Sequence, residues 1–203
     1  MSAQRAGKRD DVRGAIFKAA VELFAHKGYF ATTIRDIVDK AGVTQPMVYY
    51  YFGNKEQLFV SCIKEVHNNL EERLEEIDAG KSFDKFIGRY ISATGKMYNE
   101  FPEALLLMVH FIHSPEEYPR FPEMGKIISN PIKRVRDALR KAKRRGEIKA
   151  GIDENTLGIA LFGALEMAAS LSHVSKHVKI PHDIKSKDPD KHIKKIFLRG
   201  ILK

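Results

Sequence analysis

Apolar residues recur at intervals of three and four along nearly the whole chain, with polar residues between them, so helices are expected from end to end. Val12, Ile16, Ala19, Ala20, Leu23 and Phe24 form one side of an amphipathic helix predicted over Asp10 to Lys27. Gly28 should end it, with Tyr29 and Phe30 packing the turn, and the polar, basic residues 1–8 are expected to be frayed. Ile34, Ile37, Val38 and Ala41 make a second, short helix, with Thr33 placed as its N-cap and Gly42 where a helix end favours positive φ. Thr44 caps a third, and Pro46 sits in its first turn, where the missing N–H costs nothing. Val48 and Phe52, one turn apart, point back at the second helix. Gln45, Pro46, Met47, Tyr49 and Tyr50 are left on or near the outer face. Two short helices joined by a tight turn in this way form a helix-turn-helix, which lays its second helix in the DNA major groove.

Downstream the period lengthens into a bundle. Leu58, Cys62, Val66, Leu70 and Leu74 step by four, with Phe59, Ile63 and Ile77 beside them. Asn54 with Gln57 opens this fourth helix, which should run to about Asp78, roughly 35 Å at 1.5 Å per residue. Asp78 to Lys81 closes it. Ser82 caps a fifth helix through Glu100, and Pro102 opens a sixth that is apolar nearly all round, as for a helix at the centre of a bundle. Residues 114–122, with three prolines, read as a loop. A seventh helix spans Glu123 to Arg145 with Pro131 expected to break or kink it, an eighth Asp153 to Lys176, and a ninth about Asp190 to Leu202. The expected fold is all-α with about nine helices. An N-terminal three-helix, helix-turn-helix domain (1–55) precedes a C-terminal helical-bundle domain (56–203).

The run from Ala41 to Phe52, AGVTQPMVYYYF, followed by Asn54-Lys55-Glu56, resembles the DNA-binding segment of the TetR/AcrR family of bacterial transcriptional regulators. Ala19 to Phe24, Gly28-Tyr29 and Thr32-Thr33 fit the first helix and turn of that family. The resemblance covers about the first sixty residues and is only architectural beyond residue 80. It implies that Arg35, Gln45, Pro46 and Tyr50, with Met47 beside them, face base edges, while Thr33, Thr44, Tyr49 and Lys55 hold phosphates. The side-chain chemistry agrees, since Arg suits guanine, Gln suits adenine, and hydroxyls and Lys suit phosphate oxygens. Three successive tyrosines span about 200° of a helix, so Tyr51 is assigned inward or to the edge. Where many relatives carry Lys-Gly and a small hydroxyl residue, this chain carries Gln45-Pro46-Met47, and Pro46 and Met47 imply a different operator preference.

Composition adds little to this and charge complicates it. Of 203 residues, 43% are hydrophobic and 30% charged, as in ordinary soluble domains. The net charge of +9 suits a polyanionic partner, but residues 1–60 hold nine Lys/Arg against six Asp/Glu, while residues 126–149 hold ten against two. The excess therefore lies mostly outside the helix-turn-helix, where it reads as solvated helix faces or as a second anionic-partner surface. The single cysteine, Cys62, excludes an internal disulfide and agrees with a reducing cytoplasm. No apolar run is read as long enough to span a bilayer, no signal-peptide pattern stands near Met1, and no membrane partner is expected. No phosphate-cradling glycine loop, nucleophile elbow or CxxC is present, so no enzyme and no cofactor are expected. His110 with His113, and His173 with His177, have helical spacings that suit metal or haem ligation, but no third ligand is fixed nearby and no metal is assigned.

These readings converge on a cytoplasmic, homodimeric regulator that binds a palindromic DNA operator and is switched, as the resemblance implies, by a small-molecule effector. The dimer is expected through the eighth and ninth helices, with Leu157, Ala160, Leu161, Ala164, Leu165, Ala168, Phe197 and Leu198 in the interface. The effector site is expected at Tyr90, Met97, Phe101, Met108, Phe111, Phe162, Glu166 and Met167, an apolar or aromatic lining with one carboxylate. At helical spacing the same residues also read as plain packing. Two alternatives stay open: a metal- or haem-responsive helical sensor, and a non-specific architectural DNA binder.

Overall fold

The structure is a computed structural model. It describes residues 2–75, 82–114, 118, 124–149, 151–181 and 187–202, with side chains from residue 11 onward except 124 and 128. Nine helices lie among them: α1 (Ser2–Ala31), α2 (Ile34–Ala41), α3 (Gln45–Phe52), α4 (Lys55–Glu75), α5 (Phe83–Glu100), α6 (Pro102–His113), α7 (Met124–Arg144), α8 (Glu154–Val174) and α9 (Pro189–Ile201). The all-α fold with an N-terminal helix-turn-helix is as expected. The close of α4 at 78–81 and all of the 114–122 loop except Ser114 and Tyr118 lie outside the described residues.

The chain divides into two compact units. The first joins Met1–His67 to Glu103–Phe121, so it contains α1 to α3, the first half of α4, and α6. Ile16, Ala20, Phe24, Ile37, Val48, Leu58, Phe59, Cys62 and Ile63 form its core. Lys27 with Asp36, and Lys40 with Glu22, tie α1 to α2, and Arg13 pairs with Glu65 at 3.2 Å to tie α1 to α4. Burial pushes the Cys62 thiol far up, so it packs as an apolar group. The frayed arm expected at residues 1–8 is instead the start of α1 from Ser2. Ala3, Gln4, Arg5 and Ala6 are good helix formers with no breaker before them.

The second unit joins Asn68–Pro102 to Pro122–Lys203, and holds the end of α4 with α5, α7, α8 and α9. Phe83, Phe86, Ile87, Tyr90, Ile91, Met97, Tyr98, Val135, Leu139, Leu161, Leu165 and Ile201 are buried in it. Arg134 of α7 donates to the Leu74 carbonyl at 2.9 Å and pairs with Glu71, which fastens α7 to the end of α4. Gly158 lets α8 close on α7, because a Cβ there would stand 3.1 Å from the Ile132 carbonyl oxygen.

Three sequence expectations change. Pro131 is buried inside α7 and does not break it, because Ile127 and Val135 on either side are anchored in the core. The sixth helix belongs to the first unit, not to the centre of the C-terminal bundle. Ala104, Leu105, Leu107 and Phe111 are buried, whereas His110 and His113 are exposed and Leu106, Met108, Val109 and Ile112 half-buried. Finally, α8 is long and apolar enough to cross a membrane by length and composition, contrary to the reading that no such run exists. Only Gly158, Leu161 and Leu165 of that helix are fully buried, so much of its apolar surface is uncovered.

Candidate nucleic-acid interface

Local capping shapes α2, the turn and the exposed face of α3. The Thr33 hydroxyl accepts from the Asp36 amide at 3.1 Å, while its own amide and hydroxyl both donate to the Asp36 carboxylate at 2.8 Å. This reciprocal box starts α2 and, led by the backbone hydrogen bond from Thr33, holds the Asp36 carboxyl at about 2. Gly42 stops the helix at φ 66°, returning its N–H to the Val38 carbonyl, and the chain turns into α3 within two residues. Val48 and Phe52 are buried beneath α3. That places Gln45, Pro46, Met47, Tyr49 and Tyr50 on the exposed face, with Tyr50 72% exposed. Tyr51 is half-buried with its ring 5.0 Å from that of Tyr50, edge to face.

The polar groups on this face differ in how free they are. Arg35 projects from α2 almost fully exposed, with its nearest carboxylate, Asp39, at 3.9 Å. The Gln45 amide donates to the Tyr49 hydroxyl at 3.1 Å, which orients both side chains across one turn. Thr44 makes no capping bond with its side chain, so that hydroxyl stands available at the start of α3. Thr33 is different, because its amide and hydroxyl donors are both committed to Asp36. Lys55, the first residue of α4, lies with its ammonium 4.3 Å above the Tyr29 ring and 3.4 Å from the Phe30 carbonyl oxygen. Burial draws its pKa down, against the opposing charge of Asp36.

Sequence reasoning misplaced one neighbour of this site and missed another. Phe30 is 67% exposed and packs no core; only its edge meets the Tyr29 ring. The reason is Gly28, whose φ of 78° breaks the path of α1 and turns Tyr29 inward and Phe30 outward. Tyr118, which lies within the segment read as a loop, is buried in the first unit against Phe59, Phe111 and Tyr29. A lone tyrosine between prolines carries no periodicity that could have signalled this.

The residues read as an effector site divide between the two units. Tyr90 and Met97 are buried and Phe162 and Glu166 half-buried, all in the second unit. Phe111 and Met108 lie in the first unit, Phe111 packed on Tyr118. Phe101 is exposed beneath the Arg73 guanidinium and Met167 is 61% exposed, so neither lines an enclosed space in one protomer. Glu166 raises the Tyr98 phenol pKa, after burial as the main cause. Among the described residues no three His, Cys, Asp or Glu side chains gather as a metal set.

Of the residues read as a dimer interface, Leu161 and Leu165 are buried in the protomer and cannot give area to a second copy. Leu157, Ala164, Ala168, Phe197 and Leu198 are half-buried and Ala160 is exposed. The uncovered apolar side chains on these helices are Ile159, Met167, Leu171, Val174 and Ile196. The basic α7 surface forms an open groove lined by Asp137, Arg140, Lys141, Lys143, Arg144 and Glu154. Several of its charges are paired, including Lys143 with Glu154 at 3.0 Å and Arg136 with Asp137 at 2.9 Å, as on a solvated face.

Residues 16–62 match the family model described as bacterial regulatory proteins, tetR family. A fatty acid metabolism regulator protein of Bacillus subtilis is 28% identical over 156 residues, covering 74% of this chain and 78% of that protein. The transcriptional repressor NicS of Pseudomonas putida is 37% identical over 68 residues, 34% of this chain and 32% of that one. Among solved structures, the ketosteroid transcriptional regulator KstR2 of Mycobacterium tuberculosis superposes with a TM-score of 0.72 at 18% identity, covering 94% of this chain and 95% of its own. The fatty acid degradation regulator FadR of Bacillus halodurans also gives 0.72, at 16% identity, over 92% and 94%. The helix-turn-helix region, residues 16–62, is thus that of the tetR family of bacterial regulatory proteins, and the fold of the described residues is similar to those of solved transcriptional regulators.

Proposed function

We propose that this protein is a repressor that binds a palindromic operator as a homodimer and is released by a small apolar effector. The observation that carries the DNA-binding part is the outer face of α3, where Gln45, Pro46, Met47, Tyr49 and Tyr50 are exposed together over the buried Val48 and Phe52. Arg35, Gln45, Pro46, Met47 and Tyr50 face bases, and Thr44, Tyr49 and Lys55 hold phosphates. Thr33 serves α2 first and reaches a phosphate only by giving up Asp36. By role, residues 1–55 read DNA and residues 56–203 bind effector and partner. Selection of bound sequences from a random duplex pool tests this directly. A two-fold symmetric site bound at least about 10³-fold more tightly than random duplex is expected. Affinity that follows salt but not sequence would replace this reading with an architectural one.

The uncovered apolar face of α8 and α9 supports the dimer. Ile159, Met167, Leu171, Val174 and Ile196 carry it, with Leu157, Ala160, Ala164, Ala168, Phe197 and Leu198 alongside. The effector site draws on Tyr90, Met97, Phe162 and Glu166. Relatives named for fatty acid metabolism put fatty-acid-derived molecules first in any panel, ahead of aromatic ones. A helix shared by both units is the means of transmission: α4 starts at Lys55 in the first and ends in the second. A hundredfold fall in operator occupancy needs an effector preference of only about 2.7 kcal/mol for the released state. Repression is the commoner reading, although one relative over the N-terminal segment, FasR of Mycolicibacterium smegmatis, is named an activator. Reporter output with and without the gene decides the sign.

A further inference from the structure

Lysine is a costly choice for a fixed phosphate contact, because a four-carbon stem must be ordered before it binds. At Lys55 that ordering is already present. Its ammonium rests on the Tyr29 ring at 4.3 Å and reaches the Phe30 carbonyl oxygen at 3.4 Å. The seat is itself held from behind. The Tyr29 ring meets Phe59 edge to face at 5.1 Å and stacks on Phe24 at 5.9 Å. Phe59 in turn stacks on Tyr118 at 5.1 Å and an interplanar angle of 22°, and Tyr118 also lies 6.4 Å from Tyr29 and 5.3 Å from Phe111. Every residue in this chain of rings belongs to the first unit, yet Tyr118 comes some sixty positions after Phe59, between α6 and α7.

We propose that Tyr118 is a positioning residue for DNA binding, closing the aromatic stack that seats the Lys55 ammonium where a phosphate must find it. Tyr118 touches no DNA in this scheme. It fixes Phe59 and Tyr29, and Tyr29 presents its face to Lys55. The lowered Lys55 pKa, caused mainly by burial, agrees with an ammonium partly withdrawn from water. At the first residue of a 21-residue helix, the seated charge adds to the positive end of the α4 dipole, and both favour a phosphate. The proposal rests on Lys55 as a phosphate ligand, and the following experiment separates the two claims.

In the full-length protein, the side-chain methylene protons of Lys55 should resonate upfield of ordinary lysines, shielded by the Tyr29 ring. Tyr118→Phe should keep that shift and Tyr118→Ala should lose it. If Tyr118→Ala does not fold, Tyr118→Leu keeps apolar volume without a ring and gives the same reading. Operator binding should weaken about tenfold in Tyr118→Ala and show the flattened salt slope of Lys55→Ala, while adding the tyrosine change to Lys55→Ala should cost less than about twofold more. An unmoved Lys55 resonance, or effects that multiply in the double variant, overturns the positioning role. Wild-type affinity and salt slope in Lys55→Ala would overturn the phosphate contact alone, leaving the resonance to decide whether Tyr118 seats the lysine.

Discussion

Gln45 and Lys55 stand on neighbouring helices and are expected to fail in different ways. Gln45 is exposed at the start of α3 and steadied by Tyr49, so Gln45→Ala should relax preference at one base position by roughly 1–3 kcal/mol and leave the others unchanged. Lys55→Ala should instead weaken all sequences alike and reduce the salt slope by about one counterion. Competition binding across single-base operator variants at several salt concentrations distinguishes the two. Thr33 makes a third kind of prediction, about the frame rather than the contact. Asp36 titrates at about 2 because Thr33 binds its charged form. A depressed carboxylate pKa stabilises the fold above the ordinary value of 3.8, and that contribution is lost as pH falls through 2. Thr33→Ala removes the hydroxyl but keeps the backbone amide, so it should move the Asp36 titration only part of the way up from 2, seen by NMR, and lower the melting temperature at neutral pH more than at pH 2.

At the scale of elements, glycines separate packing from propensity. In α8, a Cβ on Gly158 would sit 3.1 Å from both the Ile132 carbonyl oxygen and its Cγ2, so Gly158→Ala should destabilise by about 1–3 kcal/mol as α7 and α8 are forced apart. In α1, Gly14 has nothing within 4 Å of the added carbon, and Gly14→Ala should stabilise by about 1 kcal/mol. Urea unfolding of the two variants checks the opposite signs. Helices were legible in the sequence because their signals are local. Thr33, Gly42, Pro46 and Asp153 are caps, turns and first-turn residues whose chemistry acts within four positions. What covers an apolar face is not local. Leu161 reads from the sequence as an interface residue, and only packing reveals that it is buried by its own chain, while Ile159, outside the set read as the interface, is 58% exposed. For the same reason α6 reads as the axis of the C-terminal bundle although it packs in the N-terminal unit.

For the whole molecule, the dimer proposed above rests on the exposed side of α8. Ile159→Asp and Met167→Glu should yield monomers by light scattering while leaving the protomer fold intact, since both positions are uncovered. Their operator binding should collapse, because half-sites about 34–36 Å apart need two linked recognition helices. A variant that is monomeric yet binds the full operator with wild-type affinity would place the partner surface elsewhere. The exposed face of α3 over the buried Val48 and Phe52 was legible from residues 44–52, whereas its support from Gly28 and Tyr118 was not, because one acts through a backbone angle and the other through a contact distant in sequence. That distant contact bears on how such a protein can be taken apart. The N-terminal unit is built from two separate stretches, Met1–His67 and Glu103–Phe121. A truncation after His67 would keep every residue assigned to DNA, but would strip Tyr118, with Phe111 packed on it, from the rings of Phe59 and Tyr29 and leave apolar surface bare. Grafting this reader onto another sensor is therefore not a matter of one splice point: the transplant has to bring its second piece, or the host has to supply an aromatic side chain in its place.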